Sequence, residues 1–188
     1  MKQPAPQTRE QILEAARELI REKGAAHTSL ADIANRTGIA KGTLHYHFAS
    51  KGDLLYTLTS QQCTYFTDKF LEIAKAEICC TQSVADALEN LITEILERSR
   101  DGILIHLIVE GVTANEELKN KFAALYRDWA QNIRKGLSSI CKREVAQEEA
   151  ELILSVLMGQ VFHQVSQAPA VSPKLFLEFV LRGLHKCG

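Results

Sequence analysis

Prolines, glycines and aromatic residues are scarce in this sequence. Its 188 residues include four prolines and ten glycines, and aromatic residues make up 6%. Folds built from many turns use more of these residues, so their scarcity argues against a loop-rich β-protein. A long hydrophobic run is also lacking, because the most apolar stretch, residues 103–109, is interrupted by His106 and followed by Glu110. It is far shorter than a membrane span, and we expect no membrane partner.

The cysteines give no sign of a disulfide framework or a metal site. They are five in number, and none forms a CxxC pair. The first residues, MKQPAPQTREQ, lack the apolar segment of a secretory signal, so we expect a reduced, cytoplasmic protein. Adjacent Cys79 and Cys80 allow thiol or metal sensing, but neighbouring cysteines near a helix end are more often incidental. We therefore predict no metal and no cofactor.

Catalytic and nucleotide-binding signatures are absent as well. The sequence contains no GxSxG, HExxH, GxGxxG or GxxxxGK segment. An enzyme with an all-α fold would need a cluster of polar groups able to carry acid–base or nucleophilic chemistry. Only His106 and Glu110, four residues apart, approach such a cluster. We predict that the protein is not an enzyme.

Net charge is nearly absent from the whole chain, yet the charges are unevenly distributed. The total is −1, which by itself predicts no polyanionic partner. Residues 1–52 carry eight basic and five acidic side chains, a net +3, whereas the remaining residues carry 14 basic and 18 acidic ones, a net −4. This asymmetry predicts two domains, 1–52 and 53–188, of which the first favours an anionic partner.

Apolar residues recur at helical spacing along nearly the whole chain. The pattern predicts an all-α fold of nine helices, three in the N-terminal domain and six in the C-terminal domain, with no strand. The first helix carries the stripe Ile12–Ile20 and ends at Gly24, and Thr28 or Ser29 caps the second. The others are expected at about 40–47, 50 to the mid-70s, 83–100, 103–112, 116–142, 147–167 and 173–186.

Two of the predicted helices form a helix-turn-helix pattern. They lie within residues 29–48 and are joined by a tight turn containing Gly38. Such a motif places its second helix in the major groove of DNA. At about 100° per residue, Leu44 and Phe48 share the buried edge of this helix, and Gly42 and Tyr46 lie nearly opposite.

The outward face of the second helix offers groups suited to DNA. Gly42 allows close approach of the backbone, and Thr43 can contact a base edge. Tyr46 and His47 can bind phosphates, and Lys41 adds positive charge beside a helix N-terminus that itself favours phosphate. Thr28 and Lys51 stand at the starts of the preceding and following helices, where an anion would also be favoured. The alternative is that Tyr46, His47 and Phe48 only pack a small core, which we prefer for Phe48 and Leu44.

The segment 12–55 resembles the DNA-binding domain of TetR-family transcriptional regulators, and the length and helix layout of the chain also match that family. The resemblance rests on Gly24, Thr28, Ile33, Ala34, Gly38, Lys41-Gly42-Thr43-Leu44, Tyr46-His47-Phe48 and Lys51. It implies DNA contacts by Thr28, Lys41, Gly42, Thr43, His45, Tyr46, His47 and Lys51. Two positions depart from the family pattern. Ala40 replaces a frequent Ser or Thr, and His45 replaces a frequent aromatic residue, so His45 can read a base, contact phosphate or remain solvated.

The last two helices are the expected dimer interface. The resemblance implies that they form a four-helix interface in a homodimer, which would read a near-palindromic operator in double-stranded DNA. The alternative is that both helices belong to the core of a monomer. The residues expected at the interface are Leu152, Ser155, Val156, Gly159, Phe176, Phe179, Val180 and Gly183.

The middle helices are expected to hold a cavity for a small-molecule effector. Aromatic residues recur there at three- or four-residue spacing, although such a stripe also suits an ordinary core. His106 and Glu110 add polar groups, and could instead belong to the surface or to an interface. The residues expected at the cavity are Phe66, His106, Glu110, Phe122, Tyr126, Trp129 and Phe162, with Tyr65, Ile103 and Leu107 as possible neighbours.

Together these features predict a ligand-responsive transcriptional regulator, specifically a repressor that its effector releases from the operator. A DNA-binding structural protein without a ligand is the main alternative. A fully packed C-terminal domain would favour that alternative.

Overall fold

The computed structural model describes residues 6–76, 81–113 and 116–185. Within these ranges the chain forms nine α-helices, one short 3₁₀ helix (Ser99–Asp101) and no strand, so the predicted all-α fold is confirmed. Cys79, Cys80 and Cys187 lie outside the described residues. The helices are α1 (Pro6–Lys23), α2 (Leu30–Thr37), α3 (Lys41–His47), α4 (Lys51–Lys75), α5 (Thr81–Arg98), α6 (Ile103–Thr113), α7 (Glu116–Cys141), α8 (Gln147–Ser166) and α9 (Pro173–His185).

Local sequence signals set the ends of the short helices. Ser29 is the N-cap of α2, and its hydroxyl accepts a hydrogen bond from the backbone N–H of Asp32 at 3.2 Å. The Asp32 carboxylate in turn accepts the Ser29 backbone N–H at 2.8 Å, which completes a capping box. Gly38 ends α2 with φ +69°, a left-handed conformation that glycine adopts without steric cost.

One compact unit comprises Met1–Gln61 and Asp101–Ala123. Its core joins buried residues of α1–α4 to Ile103 and Leu107 of α6 and Leu118 of α7, and the partly buried Phe122 packs against it. Ile103 and Leu107 are thus core residues of the unit that contains the helix-turn-helix.

The second compact unit comprises Gln62–Arg100 and Ala124–Gly188. Its buried apolar residues come from α5 and from the later parts of α4 and α7, together with α8 and α9. The domain boundary predicted at residue 52 falls inside α4 and remains a prediction. Among the described helices, none combines the length and the apolar character needed to cross a bilayer.

Candidate nucleic-acid interface

The α2–α3 segment is held by contacts on its inner side. Leu44 and Phe48 are buried, which confirms that they serve the core. The Arg9 guanidinium lies 5.1 Å from the centre of the Phe48 ring and donates a 3.5 Å hydrogen bond to the Thr57 hydroxyl. These contacts fix the orientation of α3 relative to α1 and α4.

The opposite side of α3 faces solvent. Lys41, Gly42, His45 and Tyr46 are exposed, and Tyr46 reaches 67% exposure. Thr43 is half-buried. A Cβ atom built at Gly42 would meet nothing within 4 Å, so the backbone there is open to an approaching surface. The described surface therefore presents most of the side chains expected to contact DNA on one helix face.

The start of α3 lacks a side-chain cap. Ala40 is the N-cap residue and makes no side-chain hydrogen bond to the helix. This absence fits the departure noted in the sequence, where Ala40 stands in place of a hydroxyl residue.

Thr28 and His47 are less accessible than the sequence suggested. Thr28 is 3% exposed, and its hydroxyl donates a 2.9 Å hydrogen bond to the Gly24 carbonyl. His47 is half-buried, its ring meets that of Tyr46 edge-on at 5.5 Å, and its Nε2 atom has no hydrogen-bond partner among the described residues. Thr28 therefore stabilises the turn before α2 in this structure, and DNA contact by either residue stays a prediction.

Two of the four arginines in residues 1–52 are paired with carboxylates. Arg36 bridges to Glu22 at 2.6 Å and to Glu18 at 3.3 Å, and Arg17 bridges to Glu14 at 3.0 Å. The hydrogen bond from Arg36 lowers the pKa of Glu22, in opposition to desolvation. These internal pairs leave less charge for a polyanion than the count of basic residues implies.

Lys41 and Lys51 differ from these arginines. Neither contacts a carboxylate anywhere in residues 6–76, 81–113 or 116–185. They stand at the first positions of α3 and α4. Both ammonium groups are thus available to an anion, and their contact with DNA stays a prediction.

Asp53 forms several hydrogen bonds at the start of α4, a role that the sequence pattern did not lead us to predict. Its backbone N–H donates to the Ser50 hydroxyl at 3.0 Å, and that hydroxyl donates to the Asp53 carboxylate at 2.8 Å. Lys121 of α7 donates to the same carboxylate at 3.0 Å. Partial burial raises the pKa of Asp53, but the hydrogen bonds from Lys121 and Ser50 outweigh it and lower that pKa overall. The Ser50-x-x-Asp53 spacing could have indicated the cap, whereas no local signal points to Lys121.

An apolar cavity of about 80 Å³ lies within the second unit. Phe66 and Trp129, two of the residues expected there, line it, and both are largely buried. Further walls come from α5, α8 and α9, with Leu91, Leu157 and Phe176 as examples.

The structure does not gather the other expected ligand residues around this cavity. Tyr126 shares a 2.9 Å hydrogen bond with Ser155, and Phe162 is 55% exposed. Phe122 and His106 belong to the first unit, where Phe122 packs against the core. The side chain of Glu110 lies outside the described part of the structure. A ligand role for these residues remains a prediction.

The helices α8 and α9 present an apolar surface, which we call the α8–α9 face. It is lined by Leu152, Val156 and Phe179, of which Leu152 is 67% and Phe179 71% exposed. Ser155, Gly159 and Gly183 are also exposed on these helices. Phe176 and Val180 are buried in the protomer and line a groove of about 200 Å³ on this face.

The polar clusters in the described part of the chain show no metal site. Among the described residues, no three His, Cys, Asp or Glu side chains stand close enough to hold a metal ion. Cys63 is buried, and desolvation raises the pKa of its thiol to about 12. Such a thiol is not reactive near neutral pH.

The capped α2, the left-handed turn at Gly38 and the exposed face of α3 define a helix-turn-helix protein with an all-α second unit. Comparison with known sequences shows what the N-terminal region is similar to. Residues 12–57, about a quarter of the chain, match the sequence model described as bacterial regulatory proteins, tetR family. Over this segment the chain is similar to TetR-family transcriptional regulators.

Individual relatives agree with this similarity. The HTH-type transcriptional regulator TtgR of Pseudomonas putida is 42% identical over 57 residues, which cover 30% of this chain and only 27% of TtgR. The uncharacterized HTH-type transcriptional regulator Rv2912c of Mycobacterium tuberculosis is 27% identical over 171 residues, 89% of this chain and 85% of that protein. A solved SmeT–triclosan complex superposes with a TM-score of 0.70 at 22% identity, covering 94% of this chain and 90% of SmeT, and shows the same fold.

Proposed function

We propose that the chain is a homodimeric, sequence-specific DNA-binding repressor that a small-molecule effector releases from a near-palindromic operator. The cytoplasm is the compartment in which it would act. The observation that carries this proposal is the exposed face of α3, with an unpaired lysine at the start of α3 and another at the start of α4.

The exposed face of α3 suits the major groove. Gly42 leaves the backbone accessible, and Thr43, His45 and Tyr46 offer hydrogen-bonding groups of different lengths. Phosphate contacts fix the position of a protein on DNA, whereas contacts to base edges give specificity. Lys41 is suited to the first role and Thr43 to the second.

The α8–α9 face supports a second copy of the chain as partner. Leu152 and Phe179 are large apolar side chains that are mostly exposed in the protomer, and exposed apolar patches of this kind mark interaction sites. A twofold axis through this face would present two copies of α3 to two half-sites, which is the usual arrangement for helix-turn-helix dimers.

The cavity of the second unit supports an effector. Its walls are mostly apolar, as is typical of small-molecule sites. SmeT, which shares the fold, was solved as a complex with triclosan. An effector that binds better to a conformation unable to engage both half-sites would lower operator affinity through that difference in binding. The cavity also favours this function over that of a DNA-binding protein with a fully packed body.

The test begins with an operator obtained by in-vitro selection from random duplex DNA. Binding is then measured by fluorescence anisotropy over a range of salt concentrations. Replacing Lys41 with alanine should weaken binding to every sequence and reduce the salt slope by about 0.9 per protomer, about 1.8 for a dimer. Lys135→Ala removes an exposed lysine from α7 and is the matched control, which should bind as the native protein does.

Two results would contradict the proposal. One is a selection that enriches no sequence. The other is an unchanged salt slope for Lys41→Ala, which would show that the start of α3 does not contact the phosphate backbone.

A further inference from the structure

The cavity of the second unit is lined by uncharged side chains. Within the described residues, no Asp, Glu, Lys, Arg or His belongs to its wall. A charged ligand would lose its hydration there without gaining a counter-ion. The wall therefore selects against ions of either sign.

Two polar side chains do reach the cavity wall, Thr67 of α4 and Asn132 of α7. In the described part of the chain, neither makes a hydrogen bond. Other helical hydroxyls here donate to the carbonyl four residues earlier, as Thr57 does to Asp53 and Thr93 to Glu89. Thr67 and Asn132 are thus the polar residues of the wall, both neutral, and nearly all of the surface that faces the cavity is apolar.

The volume of the cavity limits the size of the occupant. An apolar cavity of about 150 Å³ is sufficient for benzene, and such cavities stay dry when empty. The cavity here, at about 80 Å³, is smaller. Its occupant is therefore compact, and an occupant as large as a single ring requires the walls to move outward on entry.

One close contact lies beside this space. The ring of Phe70 packs directly on Gly136 in the middle of α7, so closely that a Cβ atom at residue 136 would overlap three atoms of the ring. Glycine is a poor helix former, and Gly136 lies well inside a 26-residue helix. Its lack of a side chain is what allows the Phe70 ring to sit against the α7 backbone. Any side chain at position 136 would displace the ring, and the cavity is open space beside it.

We propose that the cavity binds a compact, uncharged, largely apolar ligand with at most one neutral hydrogen-bonding group, and that Gly136, through the Phe70 ring, sets the size of ligand admitted. This inference names the chemistry of the effector and so rests on the proposed function. Gly136 is a specificity-determining position in it.

The native protein carries its own reporter for this test. Trp129 lines the cavity, is 8% exposed, and is the single tryptophan of the sequence. Iodobenzene quenches tryptophan fluorescence on contact through its heavy atom. 4-Iodobenzoate and 4-iodobenzylamine have a similar shape but carry a negative and a positive charge at neutral pH. We expect saturable quenching by iodobenzene and at least tenfold weaker binding of both charged probes.

Variants of the Gly136–Phe70 contact test the second half of the proposal. Gly136→Ala should weaken iodobenzene binding about tenfold, because the displaced Phe70 ring occupies the cavity. Combining it with Phe70→Leu, which removes the outer edge of the ring, should restore most of the binding. Gln131→Ala changes an exposed residue of α7 and should bind iodobenzene as the native protein does. Circular dichroism of each variant shows whether the fold is retained.

Several outcomes would overturn the inference: charged probes that bind as well as iodobenzene, quenching that does not saturate, or a folded Gly136→Ala protein that binds like the native one. The operator assay reports separately on the proposed function. If the protein binds iodobenzene saturably but selects no DNA sequence, the proposed function is wrong and the inferred ligand chemistry is supported. If it binds an operator but prefers the charged probes, the proposed function is supported and the inferred ligand chemistry is wrong.

Discussion

Replacing Leu107 with alanine tests whether α6 is part of the core that holds the helix-turn-helix. Leu107 is completely buried, and the core around it includes Ile12 and Leu44. Leucine-to-alanine changes in well-packed cores cost about 2.7 to 5.0 kcal/mol, the larger values where the cavity stays open. We expect a loss of about 3 kcal/mol in the free energy of unfolding. For a chain of this size that corresponds to a melting temperature lower by about 6 to 12 °C.

The measurement is urea unfolding at equilibrium together with calorimetry, at one fixed protein concentration because the proposed dimerisation would contribute to stability. Val109 lies on the same helix with its side chain 56% exposed, so Val109→Ala is the matched control. It should change stability by about 0.5 kcal/mol or less. Hydrogen exchange provides a local readout, and amides of α2 and α3 should exchange faster in Leu107→Ala than in the native protein.

The reasoning would be refuted by a loss below about 1 kcal/mol in Leu107→Ala, since a collapsed cavity cannot account for so small a cost at a fully buried leucine. Unchanged exchange in α2 and α3 despite a large loss would also refute it. In that case the destabilisation would arise outside the core that the helix-turn-helix shares with α6.

Two further perturbations test the α8–α9 face and the start of α4. Phe179→Glu places a charge at the centre of the α8–α9 face, and sedimentation should show a monomer with a native far-UV spectrum. A dimer that persists would show that the interface does not involve the α8–α9 face. Asp53→Asn should lower stability near neutral pH by less than about 1 kcal/mol, because both Asp53 and its partner Lys121 are about a third exposed. The folded-state pKa of Asp53 is depressed, so its contribution is present above the unfolded pKa of about 3.9 and disappears as the pH falls through the lower folded value. A difference between the two proteins that persists in strong acid would disprove the role of the charge.

The helices could be predicted from sequence because their signals are local. The apolar period of 3.6 residues is visible within each segment, and Ser29 and Gly38 mark the ends of α2 through chemistry that acts over a few residues. The buried edge of α3 could be predicted from the same period, because Leu44 and Phe48 are four residues apart and therefore lie on one side of the helix.

The candidate ligand site was predictable only in part, because periodicity shows that a side chain points inward and not which core it enters. Phe122 packs against the core of the first unit, to which the half-buried His106 also belongs, whereas Phe66 and Trp129 line the cavity of the second. A glycine inside a helical pattern indicates close packing, and Gly136 is such a glycine. Its partner, Phe70, lies 66 residues earlier in the chain, and only the folded structure reveals the pair.

The folded structure shows that several basic side chains of the N-terminal region are paired with carboxylates. The region's eight basic side chains suggest general attraction to a polyanion, but Arg17, Lys23 and Arg36 are bound to carboxylates within residues 1–52. Opposite charges held within a few ångströms of each other largely cancel at the distance of an approaching duplex, where salt screens what remains. Among the described residues of this region, Lys41, Lys51, Arg9 and Arg21 form no salt bridge, and so few cations alone make a weak electrostatic contact. The proposed dimer would double these cations and fix their spacing. Under the proposed function, strong DNA binding would then depend on correct placement of both copies, which is the property that an effector would switch.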